Sequence, residues 1–314
     1  MISGKSTTKQ VKLRRKKGVL KRFLYNKKTA PYIFILPFII SFLIFFLTPA
    51  IQTIHMSFHR VITLTDMRFI GFGNYTRLMN PNFFMAIRTS TVYAISVVAI
   101  LIPFPLLLAV ILNSKLIRGR NFFRSTFFIP SLTSVIVAGV SFRLIFGELP
   151  NALFNSFLGL FGVEPVRWVM SFWPGMFAMV SLTTWRMTGV YMIYFLAALQ
   201  TIPEELYESA DIDGAGAIKQ FYYITLPQMR HMIVYVLTLV IFEGYRMFTE
   251  SFVFWNEANP GGLGLTITRY IFNEAFQRND MGLGSAIGIT LLGIVLVINL
   301  IQLKLFGLFR KEVQ

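Results

Sequence analysis

Six stretches of roughly 20 apolar residues constrain this chain more than any other feature, since each can cross about 30 Å of hydrocarbon at about 1.5 Å per residue. They run approximately over 31–54, 88–112, 124–146, 171–198, 231–255 and 283–306. Backbone polar groups in lipid must be paired within the segment, so spans of this kind are helices. An all-α integral membrane protein with six transmembrane helices is therefore expected. Composition agrees, with 55% hydrophobic and only 14% charged residues, well below the charge of a water-soluble domain. The polar or Gly/Pro-marked pieces at 71–81, 147–150 and 259–264 separate the runs.

The formal net charge of +16 is a local matter, because 11 of the 30 basic residues fall between Lys5 and Lys28 and the first acidic residue is Asp66. The tail lacks aromatic interleaving and abuts a span. It reads as an orientation and anionic-lipid signal, not a nucleic-acid patch. It is also not a cleaved leader: the apolar run after it is too long and has no small-residue cleavage site. With the N-terminus inside, the inner segments hold 19 Lys and Arg (the tail, Lys115, Arg118, Arg120, Arg124, Lys219, Arg230, Arg310, Lys311) and the outer loops six (Arg60, Arg68, Arg77, Arg167, Arg269, Arg278). That bias places both termini and the loop 200–230 in the cytoplasm of a cell-membrane protein. The expected organisation is a basic tail over 1–30, a six-span domain over 31–306 and a short cytoplasmic tail over 307–314.

There are no cysteines and only three histidines, and neither GxxxxGK[ST], HExxH nor GxSxG occurs. No catalytic residue, metal site or nucleotide-binding loop is expected on this chain. His55 and His59 are spaced i, i+4 and are expected on one helix face, capping the outer end of the first span.

The loop between spans four and five is too specific for a connector. Five of the 14 acidic residues lie between Glu204 and Asp213. Pro203 suits a helix start, the acids complement its positive end, and Gly214 can stop it. A short helix, a break and a second helix follow, with Leu206, Tyr207 and Ala210 as a docking stripe and Glu205, Glu208 and Asp213 left polar.

The residues Glu208-Ser209-Ala210, Asp213-Gly214-Ala215, Phe221, Ile224 and Leu226-Pro227 resemble the EAA loop of permease subunits in binding-protein-dependent ABC importers. The runs 69–75 (FIGFGNY), 196–200 leading to Pro203, and 266–276 before Gly284-Ser285-Ala286 are similar to the carbohydrate branch of that family. Ser209 stands where the pattern usually has Ala, His231 where a second Pro is common, and Pro260 precedes a glycine pair that it often follows. The resemblance implies a type I permease bundle that imports a mono- or oligosaccharide. It implies that Glu205, Tyr207, Glu208, Ser209, Ala210, Asp213, Gly214 and Ala215 couple to an ATPase. The partners implied are two cytoplasmic ATPase subunits carrying the ATP and Mg, a second non-identical permease, and an extracytoplasmic solute-binding protein that meets the outer loops 55–87 and 256–282. This chain would bind no cofactor itself.

Ionisable groups at bilayer depth cost about 2.5 to 3.5 kcal/mol each, so they face a bundle interior, a cavity or one another. Arg186 lies mid-span four, and Glu243, Arg246 and Glu250 share one face of span five at i, i+3 and i+7. An internal ion pair that holds the bundle, between Glu243 and Arg246 or between spans, is one reading. A polar path for sugar is the other, lined by Trp185, Arg186, Tyr191, Tyr194, Glu243, Tyr245, Arg246 and Glu250. Trp255 reads as a headgroup-level residue, and Pro103, Pro105 and Pro130 as kinks. The alternative to an ATPase-driven subunit is a self-contained secondary carrier or channel, which needs its own ion-coupling acids and an internal repeat.

Overall fold

The computed structural model describes residues 28, 30–62, 66–114, 117–255 and 260–307. The basic run before Lys28, Lys115, Arg310 and Lys311 lie outside the described residues. The chain divides into two units, one ending at Met56 and the other beginning at Ser57.

The first unit holds α1 (Ala30–Phe42), a π-helical turn at Leu43–Leu47 and most of α2 (Thr48–Ser57). In the wide turn the Leu43 carbonyl accepts from the backbone N–H of Thr48 and, at 2.8 Å, from its hydroxyl. No residue from Ala30 to Leu47 is buried. Phe38, Phe42 and Phe46 stack in a ladder along the helix.

In the second unit a hairpin of β1 (His59–Val61) and β2 (Met67–Phe69) precedes α3 (Gly73–Leu78). No strand is expected from the sequence, and His59 leaves the helix altogether, so His55 and His59 do not form the helical pair anticipated. The run 69–75 owes its character to this corner. Asn74 is buried, and its amide donates to the carbonyls of Ser57 at 3.0 Å and His59 at 2.9 Å. Gly71 takes the left-handed φ of +56° that the turn requires.

Helix α4 (Pro81–Leu101) has Pro81 at its first position and Asn80 as its cap, whose side chain accepts from Phe83 N. Pro103 and Pro105 cannot donate to the preceding turn, so α4 breaks at Ile102 and continues as α5 (Pro103–Asn113). Next comes α6 (Arg120–Phe128), a 3₁₀ turn at Ile129–Leu132 that contains Pro130, and α7 (Val135–Ile145), bent by 95° from α6. The loop after α7 holds α8 (Leu153–Gly159). Then come α9 (Phe172–Leu199), α10 (Glu204–Ile212), α11 (Ala217–Gln220), a π-helical turn at Phe221–Thr225 and α12 (Leu226–Gln228). Span five is split between α13 (Arg230–Arg246) and α14 (Thr249–Trp255). The chain ends with α15 (Ile267–Phe272), a π-helical turn at Asn273–Gln277 and α16 (Met281–Leu305).

Among the described residues, three helical stretches, Ala30–Ser57, Pro81–Asn113 and Met281–Leu305, are long and apolar enough to cross a membrane, and five if each of two bent pairs counts as one span. The 28-residue α9 is long enough but falls outside that set. Arg186, Thr183, Thr184 and Thr188 lower its apolar character. Burial resolves the conflict, because Arg186 and Thr188 are turned inward.

Helix α9 is the axis of the core, with Met176, Met179, Met192 and Phe195 buried against Tyr93 and Val97 of α4, Leu106 and Ala109 of α5, and Val236 and Val240 of α13. Two glycines allow backbones to touch. A Cβ on Gly189 would collide with the Phe127 carbonyl of α6, and one on Gly244 would lie 3.0 Å from Ala94 of α4. Trp255, expected at headgroup level, is instead 1% exposed, and its indole N–H donates to Val169 O at 3.1 Å. Arg269, counted above among outer-loop charges, is also buried and donates to Ser251 O.

Candidate functional site

Span five does not run through. After Arg246 the backbone leaves helical geometry at Met247 and restarts at Thr249. The interruption is held, not loose: the hydroxyls of Thr266 and Thr268 donate to Met247 O at 3.0 and 2.6 Å. A side chain on α14 therefore follows a different direction from one on α13, which separates Glu250 from Glu243 and Arg246.

A cavity of about 430 Å³ opens beside this break, within the size range of small-molecule sites. Its wall takes Tyr93 from α4, Arg186 and Tyr191 from α9, Glu243 and Arg246 from α13, and Glu250 from α14. Five of the sequence-designated path residues thus come together: Arg186, Tyr191, Glu243, Arg246 and Glu250. Three do not line it. Trp185 stacks on Phe142 at 5.6 Å, Tyr194 lies between Tyr191 and Tyr235, and Tyr245 faces the opposite side of α13, where its hydroxyl is 3.0 Å from Thr91 Oγ1. The sequence gives no sign of Tyr93 and Thr183, whose hydroxyls pair at 2.6 Å on the wall. Neither belongs to a charged or glycine-marked motif, and they meet only because α4 packs on α9.

Of the two pairings anticipated, Glu243 with Arg246 or a pair between spans, the buried one joins two different helices. Arg186 Nη1 lies 3.4 Å from Glu250 Oε1, with side chains 10% and 17% exposed. Arg246 and Glu243 are 3.5 Å apart but 66% and 53% exposed. The buried pair is thus Arg186–Glu250, while Glu243–Arg246 forms a charged rim on the surface of the chain.

The loop 200–230 has the expected helix, break and second helix. Gly214 adopts φ +76°, and the N–H groups of Gly214 and Ala215 donate to Asp211 O and Ala210 O at 3.0 and 2.9 Å, which closes α10. Tyr207 is pinned to Thr225 Oγ1 at 2.9 Å, and Gln220 Nε2 donates to Asp211 Oδ1 at 2.5 Å. The Leu206, Tyr207, Ala210 stripe is divided. Tyr207 and Ala210 are half-buried against their own chain, whereas Leu206 is exposed. Glu205, Glu208, Ser209 and Asp213 are also exposed, and Ala215 is half-buried. Sequence reasoning missed Ile212 and Ile218, 87% and 76% exposed, which stand as apolar tips on either side of Gly214.

In the loops read from the sequence as outer, Arg77 Nη2 pairs with Asp280 Oδ2 and Arg278 Nη1 with Glu274 Oε1, both at 2.6 Å. Burial pushes the Glu274 carboxyl above its ordinary range, against the downward pull of Arg278.

These features define a polytopic membrane transport protein with a broken span at a polar cavity. Residues 101–306 match the family described as binding-protein-dependent transport system inner membrane component, and the chain belongs to that family. It is the permease subunit of an ABC importer. It is 47% identical over 311 residues to the arabinooligosaccharides transport system permease protein AraP of Halalkalibacterium halodurans, covering 98% of both chains. It is 50% identical to AraP of Bacillus subtilis, covering 92% of both chains. The trehalose/maltose transport system permease protein MalF of Thermococcus litoralis is 32% identical, over 92% of this chain and 97% of that protein. The fold is that of a chain from a crystal structure of a bacterial ABC transporter for the acidic polysaccharide alginate (TM-score 0.77, 24% identity, 95% of this chain and 100% of that one). Those relatives are permease proteins, not enzymes.

Proposed function

We propose that this chain forms one half of the membrane path of a sugar importer, with an uncharged oligosaccharide as the solute. The rim pair Glu243–Arg246 carries the reading. Two charged groups more than half exposed at the depth of a span cannot face lipid without cost. A second permease half, with water or solute in the gap, covers them. The relatives named for arabinooligosaccharides and trehalose/maltose support a sugar. So does the charge balance of the wall, where Arg186 and Arg246 offset Glu243 and Glu250. Tyr93 and Tyr191 offer aromatic faces and hydroxyls to a polyol.

In this reading the bundle has six spans, with α9 as the fourth, over 31–306. Both termini, the tails 1–30 and 307–314, and α10 face the cytoplasm. Glu205, Glu208, Ser209 and Asp213 with the tips Leu206, Ile212 and Ile218 meet one of two ATPase subunits, which hold the ATP and Mg. Tyr207, Ala210, Gly214 and Ala215 shape the element. A solute-binding protein, of the kind present with the alginate transporter, delivers solute to the outer loops.

The test is uptake by vesicles containing the purified complex, across a panel of neutral and acidic oligosaccharides. Uptake of a neutral member, dependent on ATP and on a second permease in the complex, is the expected result. A complex holding two copies of this chain and no other permease, or uptake of acidic sugars alone, contradicts the reading.

A further inference from the structure

The outer loop between α7 and α9 is built to present a face that the transport path does not use. Residues 149–163 carry no charge, and α8 sits among them. Its roll about its own axis is fixed by Asn155, which is buried. The Asn155 amide donates to the carbonyls of Gly147 at 3.1 Å, Leu149 at 3.1 Å and Val166 at 3.2 Å. Its oxygen accepts from Val166 N at 3.1 Å and Trp168 Nε1 at 2.8 Å. Phe154 adds ring contacts to Phe146 and Trp168 on that same side. With one face held, the other is turned out. Leu153 and Phe157 on α8, and Leu160 and Phe161 in the turn that follows it, are all exposed, Leu160 at 81%.

We infer that this ridge lies in the outer membrane–water interface as an amphipathic lipid-contacting helix, a reading that rests on the membrane topology proposed above. The following observations choose lipid as the occupant. The loop joins two spanning segments, so it stands at the membrane surface. The neighbouring helices also expose apolar side chains, Val140 and Leu144 on α7 and Trp173 on α9. Trp173, exposed next to the loop, has the character of an indole at headgroup level. The ridge itself offers only Leu and Phe side chains, without the Tyr, Trp and Arg that dominate the hot spots of protein interfaces. The flanking charges Glu164 and Arg167 are exposed and would remain on the aqueous side.

The chain has no cysteine, so a nitroxide at Leu160→Cys or Phe157→Cys in the complete transporter in lipid vesicles can be isolated by subtracting the wild-type complex. Relaxation of both labels by oxygen in preference to a water-soluble nickel chelate, with the preference reversed for Glu164→Cys, is expected. Preference for the nickel chelate at 157 and 160 would overturn the inference in favour of a water-exposed loop. Immobilised labels shielded from both reagents would overturn it in favour of a protein partner. Because these readouts do not depend on transport, they stand apart from any failure of the sugar-import reading.

Discussion

Arg186 on α9 and Glu250 on α14 face each other at 3.4 Å across the cavity wall, both largely removed from solvent. Taking away either member strands the other. Arg186→Gln or Glu250→Gln is expected to destabilise the complex by about 3 kcal/mol or more. The double replacement should cost less than the two single losses added together. A thermal-unfolding double-mutant cycle measures the coupling, and additive losses would show that the two groups do not support each other.

The rim pair behaves differently. Glu243 and Arg246 are mostly exposed within the chain, so Glu243→Gln should change the stability of the isolated subunit by less than about 1 kcal/mol. The effect should appear in uptake or in capture of the second permease. A large drop in subunit melting temperature with unchanged uptake and assembly would reverse this assignment.

Gly214 is held at φ +76° with its N–H bonded to Asp211 O. Proline is fixed near −65° and has no N–H, so Gly214→Pro must redirect the chain leaving α10. The expected outcome is a membrane-inserted transporter in which ATP hydrolysis no longer yields uptake. Glu208→Lys, which reverses an exposed charge on the same helix, should uncouple in the same way. Normal uptake by both variants would remove α10 from the coupling path.

The break in span five depends on two hydroxyls. Replacing Thr266 and Thr268 together by Val leaves Met247 O without either donor, at a cost of about 1–3 kcal/mol for a buried group left unpaired. Thr266 also caps α15 by accepting from Arg269 N at 3.2 Å. Thr266→Ser should therefore retain most of the stability. A melting temperature equal to wild type in the double Val variant would show that the carbonyl finds another donor.

What could be read from the chain follows the range of the forces involved. The loop 203–215 was legible because capping, acidic first turns and a left-handed glycine act within a few residues. Its stripe was half legible, since Tyr207 turns inward to Thr225, 18 residues on. The charges of span five were visible as charges, but on an unbroken helix Glu243, Arg246 and Glu250 share a face. Only the interruption at Met247 sends Glu250 toward Arg186. That interruption is imposed by Thr266 and Thr268, beyond the reach of any local pattern. Trp255 could not be placed because an indole suits a headgroup layer and a core equally well. The partner in the fold decided it, through the carbonyl of Val169. The hairpin 59–69 escaped notice because its strands are three residues each and its reason for existing is the side chain of Asn74.

Where Gly189 passes the Phe127 carbonyl, no side chain separates the backbones of α6 and α9. Two helices in such contact cannot slide by a fraction of a turn without collision, so they act as a splint. On the function proposed above, a push received at the end of α9 that leads into α10 would move α6 with it. Compliance must then reside elsewhere, at the 95° corner between α6 and α7 and at the interruption after Arg246. Both corners adjoin the cavity, where Val135 and Met247 stand in its wall. On that reading, motion of the α6–α9 pair would change the aperture of the cavity, since its wall includes both corners.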